Sequence, residues 1–262
     1  MIDDGALDMT WAAAAQAAGL PLLWADEHLC VLHKPAALLV HRSELDSREQ
    51  DSVLDRLRTV TTEWLAPVHR LDKATSGLLM LARSPDAARQ MGALFEAGGV
   101  HKAYLGLVRG WPAEQQRIDY PLARDPELPS TGQAHLEAQT ELQRLARVEW
   151  PFAVDARHPS SRYALVCARP LQGRRHQIRR HAKAISHPLV GDTTHGKAPH
   201  NHAVARHIGT QRLWLHAWGL RFTHPVTGQA IELTAPPGPE WQHLCASGPW
   251  LDPLPALDTP LF

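Results

Sequence analysis

At 262 residues, 44% hydrophobic and 21% charged, the chain has the composition of a globular protein with room for one large domain or two small ones. Its three scattered cysteines, Cys30, Cys167 and Cys245, write no disulfide framework and no CxxC metal site. No stretch stays apolar for the ~18 residues of a membrane span, and Ala-rich Met9 to Gly19 lacks the basic leader of a secretion signal, so a cytoplasmic location without a membrane partner is expected.

Taken in order, residues 1–21 read as an N-terminal extension with Ala-rich helical propensity. Leu22-Leu23-Trp24 and Leu29-Cys30-Val31-Leu32 are short apolar runs around Ala25-Asp26-Glu27-His28, a β-hairpin. Pro35 stops the second strand, and Leu38 to His41 is a brief extended piece. Arg42 to Gln50 is a polar loop, after which Ser52 caps a short helix carrying Val53, Leu54 and Leu57. Leu78 to Ala82 is an apolar run of strand length. Ser84-Pro85-Asp86 starts a helix with Ala87, Met91, Leu94 and Phe95 as its buried stripe, and Gly98-Gly99 ends it.

Lys102 to Val108 follows as a strand, with Lys102, Tyr104 and Gly106 on one face and Ala103, Leu105 and Leu107 on the other. Residues 111–135, rich in Pro, Gly and charge, read as a loop region between lobes. Further strands are expected around His135 to Leu142 and Arg162 to Arg169. Arg174 to Ile185 reads as a helix, with Ile178, Ala182 and Ile185 as a narrow apolar stripe and Arg175, Arg179 and Lys183 on one polar side. His195, His200, His202 and His207 lie in what reads as a loop, without acidic or Cys ligands at regular spacing, which argues against a metal. A second hairpin covers Leu220 to Thr223 and Ala230 to Leu233. Pro239 to Ala246 is a short helix, and 247–262 an irregular tail. Hairpins mixed with isolated helices point to an α+β fold.

Charge and chemistry converge on a few places. The net charge is zero, yet residues 1–66 hold 11 acids against 5 bases, and residues 169–212 hold nine Lys or Arg against the single acid Asp192. Such a window suits a polyanion, although a solvated basic face would carry the same charge. In His69-Arg70-Leu71-Asp72-Lys73-Ala74-Thr75-Ser76-Gly77 a lone carboxylate sits among cations just before a buried strand. Cationic flanks favour an ionised carboxylate, as they would in a purely structural salt bridge. Phosphate-binding loops, dinucleotide fingerprints, HExxH and GxSxG are all absent from the sequence. A carboxylate can act as a nucleophile at a sugar or base carbon without any of them.

These residues resemble a family. His69-Arg70-Leu71-Asp72 with its Thr-Ser-Gly turn looks like the signature of the RluA-type pseudouridine synthases. Agreeing in order are Lys34-Pro35 with Leu39-Val40-His41, Lys102-Ala103-Tyr104, and Gly173 to Arg179 with His187 to Asp192. The resemblance runs from about Leu22 to Ala246, so that 22–246 would be the catalytic domain. Within the family, the Gly191 to Gly196 and Gln211 to His216 segments look most like a subgroup acting on tRNA, at position 65; Gln172 and His195 depart from the usual Thr and Tyr. The resemblance implies a mixed, mainly antiparallel sheet spanning two subdomains with a central RNA-binding cleft. It implies a monomer that isomerises uridine to pseudouridine in RNA, tRNA first and ribosomal RNA next, with no metal and no cofactor. A non-catalytic RNA-binding protein on the same fold is the alternative of a different class. By motif position Asp72 would be the nucleophile, Tyr104 the ring on the target uracil and Arg179 the partner of Asp72. Arg70 would enter the RNA helix where the target has left it. His69, Lys34, Lys102, Arg174, Arg175, His176, Gln177 and Lys183 would be further RNA contacts.

Overall fold

The computed structural model describes residues 9–42, 51–260 and 262. Residues 1–8 of the expected extension and most of the expected loop from Arg42 to Gln50 lie outside them. The first elements are α1 (Met9–Ala17), β1 (Leu22–Ala25), β2 (Leu29–Lys34), α2 (Val53–Val60), β3 (Ala66–Pro67), β4 (Ser76–Ala82) and α3 (Pro85–Glu96). Then come β5 (Val100–Arg109), β6 (Gln115–Asp119), β7 (Leu122–Ala123), β8 (His135–Leu136), β9 (Gln139–Trp150) and β10 (Ser161–Pro170). The last are α4 (Gln177–Ala184), α5 (Ala198–Ile208), β11 (Leu215–Thr223), β12 (Ala230–Thr234) and α6 (Pro239–Ala246). The mixture is α+β with mainly antiparallel strands, divided into two units: Met1–Val100 with Leu220–Ala235, and His101–Gly219 with Pro236–Phe262.

In the first unit the expected hairpin forms because Asp26 closes it, its Oδ1 accepting from the amides of His28 and Leu29 at 2.8 Å each. β2 runs antiparallel to β4 from Leu29↔Ala82 to Lys34↔Gly77. Every residue of β4 is buried, so this strand is the rigid base from which the preceding loop projects. Ser52 caps α2 by accepting from the Asp55 amide, and Ser84 caps α3 by accepting from the Ala87 amide. Pro85 and Asp86 occupy the first turn of α3 as their chemistry favours.

In the second unit β5 pairs with β10 (Tyr104↔Ala168 to Arg109↔Tyr163), β10 with β9, and β6 with β9. Ala103, Leu105 and Leu107 face a core shared with Val148, Trp150, Tyr163, Leu165, Trp214 and Trp241. Each fully buried large side chain there is worth roughly 1.5–3 kcal/mol.

Three expectations are corrected. Residues 111–135 contain the strands β6 and β7, and both belong to the second unit. β6 is the polar segment Gln-Gln-Arg-Ile-Asp, a strand by virtue of its ladder to β9 rather than of any apolar run. β9 continues to Trp150, because its buried Ala146, Val148 and Trp150 alternate with Arg147 and Glu149. The histidine-rich segment is the helix α5, with Pro199 in its first turn and Ala203, Val204 and Ile208 buried. His200 of this helix bonds the Tyr163 hydroxyl at 2.8 Å. The irregular segment 247–262 is tied to the second unit: the Trp218 indole donates to Leu257 O at 2.8 Å, and Arg147 grips Asp252 with two bonds of 2.8 Å.

Candidate functional site

Asp72 lies in the loop between β3 and β4, half-buried, as the first residue of a turn closed by Thr75 N donating to Asp72 O at 3.0 Å. Leu71 beside it is buried and Arg70 exposed. Two expected RNA contacts turn out to build this turn. The His69 Nε2 accepts from the Met80 amide of β4 at 3.0 Å, and its ring sits 5.3 Å from that of Phe95. Lys34 is 0% exposed at the end of β2, and its ammonium donates to Pro35 O (2.8 Å), Leu38 O (2.7 Å) and Lys73 O (3.1 Å). The third reaches the residue next to Asp72, so Lys34 positions the turn from beneath.

In the second unit Tyr104 stands half-buried on β5 opposite Ala168. Gly106 follows on the same face, and a Cβ there would lie 3.0 Å from the Leu189 side chain. Glycine thus lets Leu189 of the His187-to-Asp192 segment pack against this strand. Lys102 donates to Gln172 O at 3.1 Å, and burial lowers its ammonium to about 8.

The helix α4 begins at Gln177, three residues later than the sequence suggests. His176 enters it in the left-handed region (φ 55°), and Arg174 N donates to the Gln177 side chain at 2.9 Å. Arg174 and Arg175 therefore precede the helix, and Arg175 does not share a helical face with Arg179 and Lys183. Arg175 forms ion pairs with Glu127 and with Asp125 (3.5 Å), while Arg174 donates to Glu137 O at 3.0 Å. Gln177, expected at the RNA, is buried and donates to Gln139 O at 2.8 Å and Thr140 Oγ1 at 3.2 Å. His181 bridges Thr140 Oγ1 and Tyr120 O, and burial pushes its imidazole below its usual value. Donation from its Nε2 to the carbonyl leaves Nδ1 to accept from the hydroxyl.

Arg179 makes a two-pronged pair with Asp192, Nε to Oδ2 at 2.7 Å and Nη2 to Oδ1 at 2.9 Å, the two side chains being 8% and 0% exposed. Asp192 Oδ1 also accepts from the amides of Thr194 and His195. Burial opposes the ionised form of Asp192, but the Arg179 pair together with the His195 amide and ring outweighs it, leaving the carboxyl below its ordinary value. Sequence reading places Asp192 in the His187-to-Asp192 motif but gives it no role of its own. The signal that could assign one is that it is the only acid between Arg169 and Arg212. Gly191 is obligatory here, because its φ is 79° and a Cβ would meet Arg212 O at 1.6 Å. His195 is 9% exposed and contacts His176, Nε2 to Nδ1, at 3.1 Å; burial pushes its imidazole down to about 4. Among the described residues no cluster of three or more His, Cys, Asp or Glu could hold a metal.

Placed on this fold, the aspartate turn, the strand tyrosine and the clamped arginine fall on the sequence motifs of one enzyme class. The family model for RNA pseudouridylate synthase matches residues 28–184, more than half of the chain, and the chain belongs to that family. It is an RNA pseudouridine synthase. The chain is 39% identical over 244 residues to the tRNA pseudouridine synthase C of Yersinia pestis, covering 91% of this chain and 95% of that one. It is 41% identical over 242 residues to the tRNA pseudouridine synthase C of Pasteurella multocida strain Pm70, covering 88% and 97%. Among solved structures, Human RNA Pseudouridylate Synthase Domain Containing 1 superposes with a TM-score of 0.70 at 26% identity, covering 91% of each chain. Human RNA Pseudouridylate Synthase Domain Containing 4 shares the fold, with a TM-score of 0.70 at 23% identity over 94% of this chain and 100% of that one. No helix among the described residues is long and apolar enough to cross a membrane.

Proposed function

We propose that this enzyme isomerises a uridine of tRNA, at position 65, in the cytoplasm and as a monomer, and that Asp72, Tyr104 and Arg179 carry the reaction. The substrate reading is carried by one observation: identities near 40% over about nine-tenths of the chain to proteins named for that activity on tRNA. The target uridine in a paired stem has to leave the helix, at a cost on the order of a few kcal/mol. A ring stacked on the base returns roughly 1–3 kcal/mol, so Tyr104 supports the flipped state without sustaining it alone. Arg70, exposed beside the aspartate turn, fills the vacated place in the helix.

Once the base is seated, the C1′–N1 bond breaks with its electron pair passing to uracil N1. The ring turns, C5 bonds to C1′, and the C5 proton is lost as N1 gains one. The reaction is an isomerisation and balances without an external oxidant or reductant. Asp72 serves as the carboxylate beside the glycosidic bond; attack at C1′, attack at C6 and assisted loss of the C2′ proton are three first steps open to it. Arg179, held by Asp192, is the arginine whose proposed role is to partner the catalytic carboxylate.

The test is chemical mapping of pseudouridine in total RNA from cells with the gene, without it, and with Asp72→Asn. The expected result is one tRNA position that loses its pseudouridine in the latter two, while the purified variant still binds that tRNA. Loss confined to ribosomal RNA would overturn the tRNA reading, and full modification by Asp72→Asn would overturn the role of the aspartate.

A further inference from the structure

Asp192 can orient Arg179 only while its own backbone is fixed. Just before it, Val190 is held from two sides: its amide donates to Leu107 O of β5 at 2.9 Å, and its carbonyl accepts from the Trp214 amide at 3.0 Å. The next two residues are clasped by one side chain of α5. The Gly191 amide donates to Asn201 Oδ1 at 2.8 Å, and Asn201 Nδ2 donates to Asp192 O at 2.9 Å. A primary amide presents an acceptor and a donor together, so a single asparagine closes on both backbone groups. The partners also fix which terminal atom is oxygen, since the Gly191 N–H can only donate and the Asp192 carbonyl can only accept. Among the described residues, the other backbone bonds of this pair stay within the loop: Asp192 N to Leu189 O at 3.4 Å, and Gly196 N to Asp192 O at 3.1 Å.

Asn201 is itself held. It lies early in α5, whose Ala203, Val204 and Ile208 are buried, and Val204 and Ile208 enter the core with Trp150 of β9 and Tyr163 of β10. The residue before it, His200, bonds the Tyr163 hydroxyl at 2.8 Å. From this anchored helix the hydrogen bonds run without a gap to the guanidinium. Asn201 holds the Gly191 and Asp192 backbone, and the Asp192 carboxylate holds Arg179 at 2.7 and 2.9 Å.

We propose that Asn201 is a positioning residue for the isomerisation, setting through the Asp192 backbone the direction in which Arg179 presents its guanidinium. That role rests on the one proposed above for Arg179 and extends its support to α5, a helix beyond the residues matched by the family model. Asparagine is the residue the geometry needs, because aspartate lacks the donor for Asp192 O and alanine lacks both groups. A cavity of about 120 Å³, lined in part by Gly191, Thr193, Asn201 and His202, adjoins the clasp, so water can reach both backbone groups once the amide is removed. Water satisfies them without directing them, and this separates positioning from stability.

The experiment uses an unmodified transcript of the tRNA identified by the mapping above. It measures the single-turnover rate of pseudouridine formation at saturating enzyme, the affinity for the transcript, and the urea midpoint. Asn201→Ala keeps the helix, since alanine favours a helix interior. It should slow the bound-state rate about 10- to 100-fold, the scale on which a misplacement of ~1 Å is felt. Affinity should stay within about twofold, because the asparagine has no charge to offer a phosphate. Asn201→Asp, of the same shape, loses the donor and sets a carboxylate oxygen against Asp192 O, and should be slow as well. In an Asp192→Asn background, Asn201→Ala should change the rate less than about threefold, since residues acting through one group are not additive. Wild-type rates in both Asn201 variants overturn the proposal, as does a loss that multiplies in full with Asp192→Asn. A rate that falls only in step with affinity or with the folded fraction also overturns it, leaving Asn201 a stabilising residue alone. Arg179→Lys cannot keep the two-pronged pair; if it retains the wild-type rate, the role of Arg179 fails and that of Asn201 with it. That result is distinct from a slow Arg179→Lys beside Asn201 variants that are not slow.

Discussion

Lys34 and Asp72 sit two residue-scale decisions apart. The lysine belongs to a Lys-Pro motif and to a chain that binds a polyanion, so its charge reads as an RNA contact. Its burial and three carbonyl partners make it instead the fastening of the turn that presents Asp72. Replacing Lys34 with Met keeps the length and removes the donors, leaving three inward carbonyls to be satisfied. At 1–3 kcal/mol for each unsatisfied buried group, and with partial relaxation, the cost is about 3 kcal/mol. Lys34→Met is therefore expected to lower the urea midpoint and to slow single-turnover pseudouridine formation, with the salt slope of RNA binding unmoved. An unchanged midpoint with a shallower salt slope would return Lys34 to the RNA. Net charge cannot separate these roles, because what differs is where the ammonium ends, and that is set by Pro35, Leu38 and Lys73 folding around it.

At the scale of elements, α4 and the loop after it form one device. His176 holds a left-handed conformation that costs a non-glycine residue roughly 1–2 kcal/mol, and its ring meets His195. The charged groups bearing on His195 are Asp192, Arg179, His176 and Lys183, with only the first favouring its protonation. An unfolded histidine takes up a proton near pH 6.5, and folded His195 does so only near 4. Between those values the unfolded chain binds more protons, so stability falls as the pH is lowered through that window, by up to about 3 kcal/mol for this group. His195→Tyr removes the titrating ring and should reduce the loss between pH 7 and pH 4.5 by about 1–3 kcal/mol, measured by urea unfolding at both values. His181 is shifted in the same direction but is present in both proteins, so its effect cancels. Identical pH dependence in the two would mean that His195 is not buried as a neutral ring.

Elements whose signals are local were legible beforehand: the Ser52 and Ser84 caps, the β1–β2 hairpin, the buried β4 and the aspartate turn before it. β6 was not legible, since a polar edge strand is specified by its partner β9. α5 was hidden because its histidines suggested a ligand cluster and its proline a break, although proline in a first helical turn is well placed. The two-pronged Arg179–Asp192 pair links positions 13 apart, a relation no periodicity announces.

For the whole molecule, a short irregular terminus decides how the second unit closes. Pro260 and Phe262 pack where a Cβ on Gly219 would stand, 2.7 Å from Pro260 Cγ and 2.7 Å from Phe262 Cζ. Gly219 has no positive φ, so the constraint is one of space, and its three closest contacts come from the last residues. Gly219→Ala in the full chain should overpack the contact and cost about 1–3 kcal/mol. A chain ending at Asp258 loses the burial of Pro260 and Phe262, while Leu257 O is retained to accept from the Trp218 indole. In that shortened chain the three nearest atoms the methyl would meet are gone, so the same alanine should cost much less. The four proteins form a cycle whose coupling is expected at about 1–3 kcal/mol, well beyond the few tenths within which independent sites add. Additive effects in urea unfolding would show that the terminus does not pack on Gly219. The expected coupling would instead show that the final residues belong to the body of the second unit, because a loose tail cannot change the cost of a methyl group 40 residues earlier in the chain.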